Sequence, residues 1–309
     1  MSLLQIRNLS KKIGKKTIVE GLSLDVKAGE IMGLVGPNGA GKTTTIRMIV
    51  GLSSKSGGQV FIHGQDIDRS FEKAMRHVGV IVENPDLYKY LSGYDNLIHF
   101  SRMSPGVSSE RIQEVISLVG LEDSIDKKVG TYSLGMKQRL GLAVVLAHKP
   151  SLLVLDEPTN GLDPAGIREL REHLINLSQK EGVGVLISSH LMAEMELMCD
   201  QVAILNKGKL IGIHNVAEMM DNRLAPVRFE VDRPELALPV FQSMLAGKEI
   251  IADQQTLQVD ITKDQIPGIT KKLMDTGVNI YSVQITKQTL EDKFIEITGG
   301  IESDSVNSQ

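Results

Sequence analysis

The sequence predicts an α/β domain built on a parallel sheet, followed by a smaller α+β domain. Three observations lead to this fold class. Short apolar segments in the first two thirds of the chain stop at polar side chains, as buried parallel strands do. A glycine-rich loop separates one such segment from a helical pattern. Beyond residue 226, segments of alternating apolar residues replace the continuous apolar runs.

Length and composition fit two globular domains. The 309 residues are 41% hydrophobic and 23% charged, which is enough to form two cores. A net charge of −4 provides no overall basic field, so no nucleic-acid partner is expected. The single Cys199 excludes an internal disulfide, and no apolar stretch approaches the length of a membrane span. We therefore expect a cytoplasmic chain that does not cross a membrane by itself.

The first element with chemical content is the loop within residues 31–50, where Gly36, Gly41, Lys42 and Thr43 form G-x-x-x-x-G-K-[ST]. Its backbone N–H groups and the following helix start bind phosphate, Lys42 reaches the terminal phosphates and Thr43 offers a hydroxyl to Mg²⁺. This P-loop predicts a nucleoside triphosphate site. Its predicted contacts are Gly36, Pro37, Asn38, Gly39, Ala40, Gly41, Lys42, Thr43 and Thr44.

Acidic residues end two further strands. Residues 151–158, SLLVLDEP, end at Asp156 and Glu157, and residues 77–87, HVGVIVENPDL, place Glu83 after VGVIV. In isolation each acid could be an ordinary turn residue. Beside a P-loop, Asp156 can join the Mg²⁺ shell and Glu157 can orient or deprotonate the attacking water. Glu83 is then predicted near the γ-phosphate and Mg²⁺.

The next strand and a second helix complete the candidate residues. The strand within 182–190, GVGVLISSH, ends at His190, which is either a packed residue or a hydrogen-bond donor to the γ-phosphate. Residues 131–147 give a helix with Ser133 as N-cap and Gly135 in its first turn. That helix is either a well-capped core helix or a second anion site.

Five segments in this order resemble the ATP-binding subunit of an ABC transporter over about residues 1–217. They are GPNGAGKT, YSLGMKQRL, LLVLDEP, NGLD and His190. YSLGM stands where the family usually has LSGGQ, so Ser133 and Gly135 keep their places whereas Leu134 and Met136 depart. The resemblance implies an ATPase that needs ATP and Mg²⁺, with Lys42, Glu83, Glu157 and His190 in catalysis and Thr43, Asp156 and Glu83 around the metal.

The same resemblance implies partners. Two subunits, in a homodimer, would close head to tail on ATP, with Ser133 and Gly135 of one over the P-loop of the other and Asp163 of NGLD at the interface. A separate permease would hold the subunit at the inner face of the membrane. The stretch ENPDLYKYLSGYDNL resembles subunits that export bacitracin-like and lantibiotic-type peptides. Export of a peptide antibiotic or amphiphilic drug is therefore the expected function.

Two positions depart from the family. Ile13 in KKIGKK stands where an aromatic ring usually stacks on adenine, and an aliphatic contact should discriminate bases weakly. Glu83 stands where most members have Gln, at the junction with a helical subdomain expected at about 87–150. In that subdomain Ile112, Val115 and Ile116 begin a helical pattern closed by Gly120.

The last third predicts a linker at 218–226, an accessory domain at 227–300 and a polar tail at 301–309. Alternating segments such as VRFEVD and TLQVDI, with helical patterns near 234–246 and 265–276, suit a ferredoxin-like sandwich. A structural or dimer-supporting role is expected for it.

Two other functions stay open at this point. The chain could be a soluble ABC ATPase that acts on ribosomes or DNA, although it has one P-loop and no heptad array. It could also serve a membrane complex that senses a compound or moves lipid.

Overall fold

The structure is a computed structural model that describes residues 1–83, 85–220, 225–286 and 289–296. The chain divides into two compact units, Met1–Val216 and Ala217–Gln309. Part of the predicted linker, residues 221–224, lies outside the described residues, as do residues 297–300 and the predicted tail at 301–309.

Strands and helices alternate through most of the chain. The strands of the first unit are β1 (Ser2–Ile13), β2 (Lys16–Lys27), β3 (Ile31–Val35), β4 (Gly57–Ile62), β5 (Gln65–Asp66), β6 (Val78–Val82), β7 (Leu152–Asp156), β8 (Gly184–Ser189), β9 (Gln201–Asn206) and β10 (Lys209–Asn215). The helices up to residue 219 are α1 (Lys42–Ile49), α2 (Phe71–Met75), α3 (Gly93–Ser101), α4 (Ser109–Leu118), α5 (Leu134–Leu146), α6 (Pro164–Glu181), α7 (Met192–Met198) and α8 (Val216–Met219).

The first unit is organised by one sheet in the order β5-β4-β1-β2-β10-β9-β3-β8-β7-β6. From β9 to β6 neighbouring strands are parallel, whereas β5, β4, β1 and β2 pair antiparallel. Strands β3, β7 and β8 are buried along their whole length, which explains their continuous apolar sequences. Their carboxyl ends, with that of β6, lie at one edge of the sheet.

Helix α1 packs its apolar side into the core of this unit. Ile46, Ile49 and Val50 are buried in the same hydrophobic cluster as Leu34 of β3 and Val154 of β7. This packing fixes the start of α1, and therefore Lys42 and Thr43, against the ends of the parallel strands.

Between β6 and β7 the chain forms the helices α3, α4 and α5. Ile112, Val115, Ile116 and Val119 of the predicted helical pattern are all buried. Helix α4 has Ser108 as N-cap, whose Oγ accepts from the N–H of Arg111, and Gly120 follows the helix at φ 62°. Apolar periodicity and caps therefore located this helix correctly.

The second unit has a four-stranded antiparallel sheet. Its elements are, in chain order, β11 (Ala225–Val231), α9 (Pro234–Met244), β12 (Ile250–Asp253), β13 (Thr256–Ile261), α10 (Ile266–Asp275) and β14 (Ile280–Ile285). The sheet order is β12-β13-β11-β14. Alternate residues of β11 and β13, such as Phe229 and Val259, are buried with Phe241 of α9 and Leu273 of α10. The ferredoxin-like assignment of this unit stays a prediction.

None of the helices within the described residues is both long and apolar enough to cross a membrane.

Candidate functional site

The loop between β3 and α1 owes its path to glycine at two positions. A Cβ on Gly36 would lie 2.2 Å from the carbonyl oxygen of Leu205, so a side chain there would displace β9. Gly41, the N-cap of α1, has φ 107°, a region that L-residues rarely adopt. The loop can therefore turn tightly and enter the helix with its N–H groups free of side-chain cover, as an anion site requires.

Lys42 lies under this loop as a buried ammonium group, with 5% of its surface exposed. Its Nζ donates to the Gly36 carbonyl at 2.7 Å and lies 3.4 Å from Oε1 of Glu157. A charge at this depth needs such partners. The contacts hold the ammonium group where the terminal phosphates of a nucleotide would meet it.

Thr43 and Asp156 are joined across the sheet edge. The Thr43 hydroxyl donates to Oδ1 of Asp156 at 3.2 Å, and the Ser188 hydroxyl donates to the same oxygen at 2.6 Å. Asp156 is almost fully buried, so these two donors offset its desolvation. A hydroxyl and a carboxylate oxygen are ligands that Mg²⁺ prefers, usually with water and phosphate oxygens. The donor set therefore fits the predicted metal.

Glu157 lies at the centre of the charged groups. Its backbone has φ 48°, an unusual value for a residue with a Cβ, and its N–H donates to Oγ of Ser188 at 2.9 Å. That turn directs its carboxylate between two cations or donors, with Oε1 near Lys42 and Oε2 2.8 Å from Nδ1 of His190. Glu157 therefore links the buried ammonium group of Lys42 to the ring of His190.

His190 follows β8 and is partly exposed. Because a carboxylate only accepts hydrogen bonds, Nδ1 of His190 donates to Glu157. Its Nε2 can then donate to a phosphate oxygen only from the doubly protonated ring. The arrangement orients Glu157 through His190 and gives the predicted γ-phosphate contact a protonation requirement.

These groups line an open cavity of about 480 Å³. Besides Lys42, Thr43, Glu157 and His190, its walls include Asn38, Gly39 and Thr44 of the loop. Gly41, Lys16 and Ile18 of β2, and Asn160 of the NGLD segment complete it; sequence reasoning did not assign Lys16, Ile18 or Asn160 to the site. The contribution of Lys16 and Ile18 depends on the pairing of β2 with other strands, which no local motif encodes.

The second predicted anion site lies at the start of α5. Ser133 is the N-cap and its Oγ accepts from the N–H of Met136 at 3.2 Å, which confirms the predicted cap. Asp163 caps α6 in the same way by accepting from Gly166 at 2.9 Å. Ser133, Gly135 and Asp163 line a separate cavity of about 400 Å³. That cavity shares no lining residue with the cavity at Lys42.

Six residues predicted for the nucleotide and metal site lie outside the lining of the cavity at Lys42, namely Ile13, Gly36, Pro37, Ala40, Glu83 and Asp156. Glu83 directly follows β6, at φ 66°, and forms an ion pair with Arg47 of α1. Ile13 ends β1 and is 60% exposed. Metal binding by Glu83 and base recognition by Ile13 therefore stay predictions.

A family model described as ABC transporter matches residues 19–160. The uncharacterized ABC transporter ATP-binding protein YhcH of Bacillus subtilis is 49% identical over 96% of each chain. The bacitracin transport ATP-binding protein BcrA of Enterococcus faecalis is 34% identical over 96% of this chain and 97% of that protein. The lantibiotic transport ATP-binding protein SrtF of Streptococcus pyogenes is 42% identical over 72% of this chain and 97% of its own.

Solved structures share the fold of the first unit. The ATP-binding subunit of an ABC transporter superposes with a TM-score of 0.64 at 31% identity, over 70% of this chain and 91% of that one. A dimeric ATP-binding cassette in a post-hydrolysis state with ADP and phosphate gives a TM-score of 0.62 at 23% identity, over 69% of this chain and 98% of that one. At 23% identity, this second similarity supports a shared fold and nothing more.

Proposed function

The chain belongs to the ABC transporter family as an ATP-binding, ATP-hydrolysing protein, and we propose that it powers a separate permease that exports a peptide antibiotic or amphiphilic drug. The observation that supports this most is the convergence of Lys42, Thr43, Asp156, Glu157 and His190 at one sheet edge. The cargo class is supported by relatives whose names state bacitracin and lantibiotic transport.

In the proposed reaction the loop N–H groups and Lys42 bind the phosphates. Glu157 orients the attacking water and accepts its proton, which is the step that the contacts with Lys42 and His190 prepare. Thr43 and Asp156 would hold Mg²⁺, with Glu83 as a further candidate ligand. When bound, that ion neutralises charge on the phosphates.

The proposed active assembly is a head-to-tail homodimer. Ser133 and Gly135 line a cavity that is separate from the one at Lys42. A nucleotide in the cavity at Lys42 would therefore not also occupy the cavity at Ser133 and Gly135 of the same chain. A second copy would bring its Ser133–Gly135 loop over the nucleotide held by Lys42, with Asp163 near the junction. The unit that begins at Ala217 would have a structural or dimer-supporting role.

The partner permease would place the chain at a membrane surface. We propose pulling the tagged chain from detergent-solubilised membranes of a host that carries its neighbouring genes, with ATP and with ADP. The expected result is recovery of an integral membrane protein together with stimulation of ATP hydrolysis in the recovered complex. A host that lacks the neighbouring genes serves as the control.

Recovery of only ribosomes or DNA would exclude the transport function while leaving the ATPase intact. A purified chain that neither binds nor hydrolyses ATP would contradict the ATPase itself. Relatives named for transport do not favour a ribosome-bound or DNA-bound ATPase.

A further inference from the structure

An ion pair joins the phosphate-binding helix to the strand that ends at Glu83. Nη2 of Arg47, in the last turn of α1, contacts Oε1 of Glu83. The side chains are 44% and 64% exposed respectively. Exposed pairs are weak and can be exchanged for a competing partner at low cost.

The pair lies one helical turn from the proposed metal ligands. Thr43 and Arg47 are four residues apart on α1, so they share one face of the helix about 6 Å apart along its axis. Thr43 bonds to Asp156 at the end of β7, and Arg47 pairs with Glu83 at the end of the neighbouring strand β6. Residue Val82 is the register partner of Asp156, so Glu83 stands level with Glu157.

Because Glu83 carries a negative charge, it forms an ion pair with Arg47 that a neutral amide at this position could not form. Asp156 and Glu157 already bring two carboxylates to this edge, and a triphosphate adds further negative charge. A third free carboxylate would be repelled by the phosphates and attracted by a divalent cation. Arg47 neutralises that carboxylate while no cation competes for it.

We propose that Arg47 is a positioning residue that holds Glu83 one helical turn from the metal ligands Thr43 and Asp156, so that a divalent cation bound with nucleotide must compete with Arg47 for the Glu83 carboxylate. This inference rests on the proposed ATP and metal site. It places Arg47 outside the groups that touch the nucleotide, because its effect acts only through Glu83.

The test measures how much a divalent cation strengthens nucleotide binding. A fluorescent, non-hydrolysable ATP analogue is titrated into the full-length chain with Mn²⁺ and again with EDTA. The Kd with EDTA divided by the Kd with Mn²⁺ is the ratio compared among variants. Arg47→Met frees Glu83, so the ratio should rise about two- to fivefold, the range in which an exposed ion pair shifts an equilibrium. Arg47→Lys keeps the charge and should stay near the unaltered chain.

A second background shows whether the effect passes through Glu83. In Glu83→Gln chains, Arg47→Met should leave the ratio unchanged, since no carboxylate remains to be released. Arg7→Met removes the Arg7–Asp25 pair between β1 and β2, whose arginine is exposed to the same degree as Arg47, and should change nothing. An equal effect of Arg47→Met in both backgrounds, or none in either, overturns the proposal. If the unaltered chain does not bind the analogue, the proposed nucleotide site itself fails.

Discussion

We propose Glu157 as the base of hydrolysis because its carboxylate contacts Lys42 at 3.4 Å and His190 at 2.8 Å. Glu157→Gln keeps the shape of the side chain but removes its ability to take a proton. We expect ATP turnover, measured by phosphate release, to fall by about 10²- to 10⁴-fold. Nucleotide affinity, measured at equilibrium, should be nearly unchanged.

The control for that substitution is Glu181→Gln, which alters an exposed carboxylate at the end of α6. It should leave turnover unchanged. Full turnover by Glu157→Gln would remove Glu157 from the role of base and leave it as a partner of Lys42 and His190.

The side chain of Ile13 leads to a separate prediction, about recognition of the nucleotide base. Its side chain is largely exposed and aliphatic, so it offers adenine little more than guanine. ATP and GTP should bind with similar affinity, and a ratio above about 100 would contradict this. Ile13→Tyr should tighten binding of both, because stacking on an aromatic ring adds about 1–3 kcal/mol. Leu52→Tyr, at another exposed apolar position, is the matched control in competition titrations.

At the scale of single elements, the pair α4–α5 is fixed by a buried arginine. Arg111 of α4 is 6% exposed, and its Nη2 donates to the carbonyl of Leu146 at the end of α5, at 2.8 Å. Arg111→Met removes this charged donor and leaves the Leu146 carbonyl with only the N–H of Lys149, so unfolding should require about 1–3 kcal/mol less in urea titrations. Arg102→Met, at an exposed position after α3, should change stability little. Equal losses for both would mean that the Leu146 contact is unimportant.

The same arginine makes the stability of this region depend on pH. Nη1 of Arg111 lies 2.8 Å from Glu114, and the hydrogen bond from Arg111 lowers the pKa of Glu114 from its ordinary 4.5. A lowered pKa in the folded state stabilises the fold above the unfolded value and loses that contribution as the pH falls through the folded value. The stability difference between the unaltered chain and Glu114→Gln should therefore shrink below about pH 4.5. A constant difference across that range would contradict the contribution of Glu114.

Local patterns account for what the sequence could predict. The P-loop, the strand ends at Asp156 and Glu157 and the Ser133 cap each lie within a few consecutive residues, and the structure has them in place. Strands β1 and β2 escaped prediction because bulges shift their register several times and so break the alternation of buried residues. Ser188 on Asp156, and Arg47 on Glu83, join segments distant in sequence. Such contacts follow from strand order, which periodicity does not specify.

At the scale of the whole chain, the two proposed phosphate-binding sites occupy separate cavities. One contains Asn38 and Lys42, and the other contains Ser133 and Gly135. A homodimer can join them in two ways. Head-to-tail packing brings Asn38 of one copy near Gly135 of the other, whereas packing of like surfaces brings Asn38 near Asn38.

Cysteine crosslinking separates these arrangements because the native thiol does not interfere. Cys199 is buried and burial raises its thiol pKa, so it forms little reactive thiolate. Gly135 can accept a side chain, since a Cβ there would meet Leu162 at an ordinary 3.7 Å. Chains with Asn38→Cys and Gly135→Cys, each also carrying Glu157→Gln, are mixed with ATP or ADP under mild oxidant. The head-to-tail model predicts a crosslinked dimer only in the mixture and only with ATP.

Each single variant alone is the control in this experiment. In a head-to-tail dimer of one variant, both cysteines face a native residue, so neither variant should crosslink to itself. Self-crosslinking of Asn38→Cys alone would show like-to-like packing and refute the head-to-tail arrangement. Crosslinking of the mixture to the same extent with ADP would show that ATP does not drive closure, and the proposed coupling of nucleotide to dimer closure would then fail.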